Sequence, residues 1–262
     1  MLTVEKIQAK KNQEKITMLT AYSASMARLV AQAGVDMLLV GDSLGMVFQG
    51  KQNTLAVTVD EMIYHARAVR AGASDTFVIV DMPFMSFQVS AEHTLVNAGR
   101  IMKETDANAV KLEGSSIVVC DSIRHITAAG IPVVGHLGFT PQSVNQLSGY
   151  KVQGKTDAAA DRLLQEALQV QAAGAFALVL EMVPAAVAQQ ITQALQIPVI
   201  SCGAGVACDG QVLVIDDVLG LYPRKPKFAK QYATLATSIA AAVGQYLTEV
   251  KAGTFPGPEH SF

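Results

Sequence analysis

The sequence predicts a single (β/α)8 barrel with an extra N-terminal helix. Short runs rich in Val, Ile and Leu alternate with longer amphipathic stretches, the pattern of a parallel sheet covered by helices. Eight such runs share 262 residues, about 33 each, which suits a strand, a crossover helix and two loops. No linker, repeat or low-complexity tract interrupts them, so 1–262 reads as one domain. An open doubly wound sheet is the alternative that periodicity alone leaves standing.

Taken in order, Thr3 ahead of Val-Glu-Lys-Ile7 is placed to cap a first helix over the barrel bottom. Strands are expected at 16–20, 37–41, 76–81, 109–113, 132–136, 177–181, 198–202 and 211–216. Helices are expected at 23–33, 59–71, 90–105, 116–129, 157–173 and 185–195, several with a glycine just past the end (Gly34, Gly72, Gly130, Gly174). The seventh crossover is too short for a full helix. The connections from Ser43 to Val59 and from Gly138 to Asp157 are longer than a barrel requires, and long loops at the C-terminal strand ends are where barrel enzymes build their sites.

Composition narrows the function classes. A hydrophobic fraction of 50% with a net charge of −2 excludes intrinsic disorder, and a pI near 6.2 lacks the basic excess of a nucleic-acid binder. The longest apolar stretch, Ala172 to Leu180, is stopped by Glu181, short of the roughly 20 residues that span a bilayer. The opening residues carry no signal-like segment, so a cytoplasmic location is expected. Three cysteines without C-x-x-C spacing (Cys120, Cys202, Cys208) point to reduced, packed thiols. Charged residues make up only 16% of the chain against about 25% in typical domains, which leaves apolar helix surface for a homo-oligomer to bury.

Acids stand at the ends of four predicted strands: Asp42, Asp81, Glu113 and Glu181. They are 39, 32 and 68 residues apart, about one, one and two strand-helix units, so they project to one barrel mouth. Crowded carboxylates repel one another unless a cation compensates them, and a hard divalent ion such as magnesium matches oxygen ligands. Each acid taken alone also fits a helix cap or a solvated loop charge. Lys111 shares the inward face of its strand with Glu113, where it either pairs with a carboxylate or holds an anionic substrate oxygen. His136, at another strand end, is a site candidate or a structural hydrogen-bonding histidine, whereas His65 and His93 sit on predicted helices as packing or surface residues. Gly203-Ala-Gly205 fits a phosphate-binding turn or simply a tight turn with positive φ.

From end to end the chain resembles the ketopantoate hydroxymethyltransferase family. The resemblance is carried by Met37-Leu-Leu-Val-Gly-Asp-Ser-Leu-Gly-Met46, Val80-Asp-Met-Pro-Phe-Met85, Val110-Lys-Leu-Glu-Gly114, Gly135-His-Leu-Gly-Phe-Thr-Pro-Gln-Ser-Val-Asn145, Gly149-Tyr-Lys-Val-Gln-Gly154 and Leu180-Glu-Met-Val-Pro184. Pro226-Lys-Phe-Ala-Lys230 and Glu259-His-Ser-Phe262 add to it. It implies a (β/α)8 enzyme that moves a one-carbon unit from 5,10-methylenetetrahydrofolate to 3-methyl-2-oxobutanoate, giving 2-dehydropantoate for pantothenate biosynthesis. By position it implies Asp42, Asp81 and Glu113 as magnesium acids and Ser43, Asp42, Asp81 and Lys111 as substrate contacts with His136 beside them. Glu181 takes the place of the proton acceptor, and a decamer is implied. Ser201-Cys202 and Asp216 depart from the family pattern, where Gly-Ile and a His are common. The rival enzyme class is a magnesium-dependent lyase or mutase of the phosphoenolpyruvate/pyruvate superfamily, whose Lys-x-Cys-Gly-His loop is missing here. A non-catalytic metabolite-binding barrel is the rival outside enzymes.

Overall fold

The structure is a computed structural model, and it describes residues 2–222 and 226–262. It comprises two compact units, 1–214 and 215–262.

The first unit is the barrel. Thr3 accepts the Lys6 N–H at 3.3 Å and starts α1 (Val4–Ala9) as expected. Then follow β1 (Ile16–Thr20), α2 (Ala24–Gln32), β2 (Met37–Val40), the single turn α3 (Leu44–Val47), α4 (Val59–Gly72), β3 (Phe77–Asp81), α5 (Ala91–Thr105), β4 (Ala109–Glu113) and α6 (Ile117–Ala128). The second half continues with β5 (Val133–Gly138), α7 (Asp157–Ala172), β6 (Ala177–Glu181), α8 (Ala185–Ala194), β7 (Val199–Cys202) and β8 (Gly210–Leu213). The strands pair in sequence order, all parallel, and β8 returns to pair with β1, which closes the barrel and excludes the open sheet.

Alternation along the strands separates two faces. Inward residues such as Met18, Met37, Leu39, Phe77, Ile79, Ala109, Val134, Val179 and Ile200 fill the lower barrel. Ile7 of α1 is fully buried against this cluster, with Leu2 and Val4 packed beside it, so the helix plugs the strands' N-terminal end. Burying a side chain of this size contributes roughly 1.5–3 kcal/mol. Outward residues such as Leu38, Val78, Val110, Leu112 and Leu178 are fully or nearly fully buried beneath the helices. Hydroxyl caps begin those helices: Thr58 and Glu61 form a reciprocal capping box on α4, and Ser90, Ser116 and Thr156 cap α5, α6 and α7.

One strand expectation needs correcting. The eighth strand, expected at 211–216, is Gly210–Leu213, and residues from Ile215 are helical. The branched run Val212 to Ile215 has the composition of a strand, but Asp216 and Asp217 lie in the first helical turn, where carboxylates favour helix. Gly210 is needed where β8 meets β1, because a Cβ there would lie 2.5 Å from the Ile16 carbonyl oxygen.

The second unit holds α9 (Ile215–Leu219) and α10 (Leu235–Ala252), joined by bonds from Tyr232 N–H to the Val218 carbonyl at 2.8 Å and from Ala236 N–H to that of Gly220 at 3.2 Å. No residue of α10 is buried, and Ile239, Val243, Tyr246, Leu247 and Val250 are exposed. No helix among the described residues is long and apolar enough to cross a membrane.

Candidate active site

The pleat that points Phe77, Ile79 and Ala109 into the lower barrel also points Asp81, Lys111, Glu113, His136 and Glu181 into its mouth, two or four residues further along their strands. Register brings them together: Asp81 pairs with Lys111, Glu113 with His136, and Gly138 with Glu181. Asp42 joins them from just past β2, where its N–H donates to Asp81 Oδ2 at 3.0 Å. Asp42, Asp81, Lys111, Glu113 and His136 are all buried, and Glu181 is partly exposed.

Lys111 stands at the centre of this charge cluster. Its Nζ lies 3.1 Å from Asp81 Oδ1 and 3.0 Å from His136 Nδ1. Burial pulls the lysine down, but Asp81, Glu113 and Asp42 outweigh that and hold the ammonium above the ordinary lysine range. Burial and repulsion from Glu113 and Asp81 push Asp42 well above the usual carboxylate range. Burial raises Asp81 as well, partly offset by Lys111. Glu113 goes the other way: burial pulls it up, but His136, Lys111 and the Gln142 N–H together bring it below the usual value.

His136 bridges the buried acids to the exposed one. Its Nδ1 is 3.4 Å from Glu113 Oε1, and its Nε2 is 3.3 Å from Glu181 Oε2. Burial and the Lys111 charge depress the imidazole, while Glu113 and Glu181 carry it up to about 8. The neutral ring accepts from Lys111 at Nδ1, whereas the protonated ring turns both N–H groups toward carboxylates.

The glycines beside these residues are there for space. Gly135 faces α7, and a Cβ on it would lie 2.4 Å from Val170 Cγ1. Gly138 has φ +88°, and a Cβ there would be 2.3 Å from the Glu181 carbonyl oxygen, which instead accepts the Phe139 N–H at 2.7 Å. Met182, directly after Glu181, is left-handed at φ +49°, so a non-glycine residue in an uncommon conformation turns the chain at the proposed base. The two long loops meet over the mouth: the Tyr150 hydroxyl contacts Met46 Sδ at 3.5 Å, and its ring packs on Phe139 with centroids 5.0 Å apart. Ser43, just before α3, has its hydroxyl 2.8 Å from that of Tyr22.

Gln142 was not singled out from sequence. Its Nε2 donates to Asp42 Oδ2 at 2.8 Å and to the Met82 carbonyl at 2.9 Å, and its main-chain N–H donates to Glu113 Oε2 at 3.0 Å. Only its place within the 135–145 motif block marks it in the sequence. Of the other histidines, His65 is buried with Nδ1 2.8 Å from the Tyr22 carbonyl, and His93 is exposed on α5. Gly203 and Gly205 have φ of 72° and 97°, the tight-turn geometry. Ser201 is buried, and its hydroxyl accepts the Ala204 N–H at 2.9 Å. All three cysteines are free thiols.

The donor set around Asp42 is all oxygen and suits a hard cation. Asp81 Oδ1 is buried without an aligned hydrogen bond, and Asp42 and Asp81 are carboxylates that burial penalises, so this pair fits a positive ion. As the side chains stand, no group of three or more His, Cys, Asp or Glu among the described residues is arranged to hold a metal, and Lys111 supplies the compensating charge.

A sequence model of ketopantoate hydroxymethyltransferase matches residues 1–258. The 3-methyl-2-oxobutanoate hydroxymethyltransferase of Syntrophus aciditrophicus is 57% identical over 254 residues, covering 97% of this chain and 93% of the relative. The enzyme of the same name from Enterococcus faecalis is 53% identical over 256 residues, covering 97% and 93%. Among solved structures, a phosphonopyruvate hydrolase in complex with oxalate and Mg++ superposes with a TM-score of 0.64 at 12% identity, covering 99% of this chain and 93% of that one. A 2,3-dimethylmalate lyase of the PEP mutase/isocitrate lyase superfamily gives 0.62 at 16% identity, covering 99% and 93%. Identities this low speak to the fold alone.

Proposed function

The chain belongs to the ketopantoate hydroxymethyltransferase family, and we propose that it transfers a one-carbon unit from 5,10-methylenetetrahydrofolate to 3-methyl-2-oxobutanoate, forming 2-dehydropantoate. The observation that carries this reading is a buried ammonium, Lys111, among three carboxylates, with a more accessible carboxylate, Glu181, on the far side of His136. That arrangement suits a small anionic oxo acid whose carbon acid must lose a proton.

Asp42, Asp81 and Glu113 would hold magnesium, which when bound draws charge from the oxygens of the oxo acid and eases loss of its C3 proton. Lys111, kept charged by its neighbours, offsets the negative charge of the substrate. Ser43 and its partner Tyr22 offer hydroxyl hydrogen bonds at the same mouth. Glu181 accepts the C3 proton, and the N–H at His136 Nε2, 3.3 Å away, holds the carboxylate in place and steadies its negative charge. Tyr150 and Phe139 cover the mouth and limit water. The carbon nucleophile then forms a bond to the methylene carbon of the folate, both C–N bonds of that carbon break, and one water supplies the hydroxyl oxygen as tetrahydrofolate leaves; no covalent bond to the protein is required.

We further place the protein in the cytoplasm, where its three free thiols stay reduced, and as a homo-oligomer, with a decamer suggested by the family. The exposed apolar side chains of α10 give such an assembly surface to bury. Light scattering at micromolar concentration that shows only a 27.7 kDa species would exclude it.

The test of function is product formation. Protein, 3-methyl-2-oxobutanoate, methylenetetrahydrofolate and magnesium should yield 2-dehydropantoate, seen by mass spectrometry. Chelation should stop the reaction and added magnesium should restore it. Folded, magnesium-supplied protein that makes no product would favour a metabolite-binding barrel, and full turnover in verified metal-free protein would remove magnesium from the account.

A further inference from the structure

We propose that Gln142 is a positioning residue that sets the relative placement of two acids from different strands, Asp42 with its side chain and Glu113 with its main chain. The inference rests on the magnesium-dependent reaction proposed above and extends it to a neutral residue.

The amide of Gln142 has one possible orientation. The Met82 carbonyl 2.9 Å away only accepts hydrogen bonds, so the end of the amide facing it is the NH2 group. Its second hydrogen is then directed at Asp42 Oδ2, 2.8 Å away. The opposite end, Oε1, accepts from Gln88 Nε2 at 3.1 Å. Gln88 is oriented in turn, because its own Oε1 accepts the Phe87 N–H at 3.4 Å. Main-chain groups therefore fix the chain of amides at both ends, and Asp42 meets a donor whose direction does not alternate.

Gln142 sits in a short 3-10 turn, Pro141–Ser143, that follows β5, and it is buried. From there its N–H reaches Glu113 Oε2 at the end of β4. One residue thus ties the β2, β3, β4 and β5 ends together at the acids. With Oδ2 held by Gln142, Asp42 presents Oδ1 as its free oxygen, and Glu113 has one oxygen similarly committed. Groups that orient metal ligands in this way typically change metal affinity or activity about 10- to 100-fold when removed.

The test is magnesium binding to the substrate-free protein by titration calorimetry, with thermal unfolding measured beside it. Gln142→Met keeps the length of the side chain and the main-chain bond to Glu113 but loses the amide. It should fold and bind magnesium about 10- to 100-fold more weakly than wild type. Gln88→Met leaves Gln142 and its Met82 bond in place but removes the donor that anchors Oε1, so the amide is held at one end only and binding should weaken less. This second variant decides the matter if Gln142→Met does not fold. Wild-type affinity in folded Gln142→Met, or in Gln88→Met where it must serve alone, would overturn the inference by itself. Wild-type protein that takes up no magnesium would overturn it together with the reading beneath it.

Discussion

Glu181 Oε2 lies 3.3 Å from His136 Nε2, with the carboxylate side chain 16% exposed and the imidazole 3% exposed. The group that can meet a substrate is therefore backed by a buried group that can share its proton. Sequence spacing put both at strand ends, and the β5–β6 register brings them within reach of each other.

This pairing gives the metal-free protein a pH signature. His136 titrates at about 8 when folded against 6.5 for a free imidazole, so its contribution to stability is complete below about pH 6.5 and is lost as pH rises through 8. A shift of that size corresponds to about 2 kcal/mol. Denaturant unfolding between pH 6 and 9 should show this loss in wild type and not in His136→Gln. Parallel pH profiles for the two proteins would show that the imidazole is not held protonated.

Lys111 compensates three buried carboxylates, so Lys111→Met should destabilise the metal-free protein by about 3–5 kcal/mol, the usual cost of leaving buried charge unpaired. Magnesium should raise the melting temperature of this variant more than that of wild type, because the ion restores charge the variant lacks. Equal magnesium-induced shifts would argue that the acids do not share an ion.

Away from the mouth, Asp209 accepts from Val199 N–H at 2.8 Å, Lys11 Nζ at 2.9 Å and Asn12 N–H at 3.2 Å. Asp209→Ala should cost about 3–5 kcal/mol of stability while kcat of the remaining folded protein stays unchanged. A matching fall in kcat would mean that this end of the barrel is coupled to the site.

The inward acids were legible because strand periodicity fixes which face a residue takes: Asp81, Glu113 and Glu181 close their strands, and Lys111 and His136 take the same inward face within theirs. Gln142 was not, because its partners Asp42 and Met82 are 100 and 60 residues away and an uncharged amide in a loop leaves no pattern. The extent to which Lys111 stands among the acids was also hidden. Spacing shows that a lysine points inward, whereas its 3.1 Å approach to Asp81 depends on how β3 and β4 are staggered. The end of β8 was misplaced because a branched apolar run looks alike in a strand and in the first turn of a buried helix.

The most direct test of the account is exchange of the C3 proton of 3-methyl-2-oxobutanoate in deuterated water, followed by NMR with magnesium and without folate. Wild-type protein should catalyse the exchange. Glu181→Gln keeps the shape of the side chain but removes the acceptor, so it should bind magnesium and the oxo acid normally and exchange about 10²- to 10⁴-fold more slowly. That loss corresponds to roughly 3 to 5 kcal/mol of barrier. Exchange at the wild-type rate in Glu181→Gln, with metal and substrate bound normally, would show that another group takes the proton and would contradict the assignment of the base.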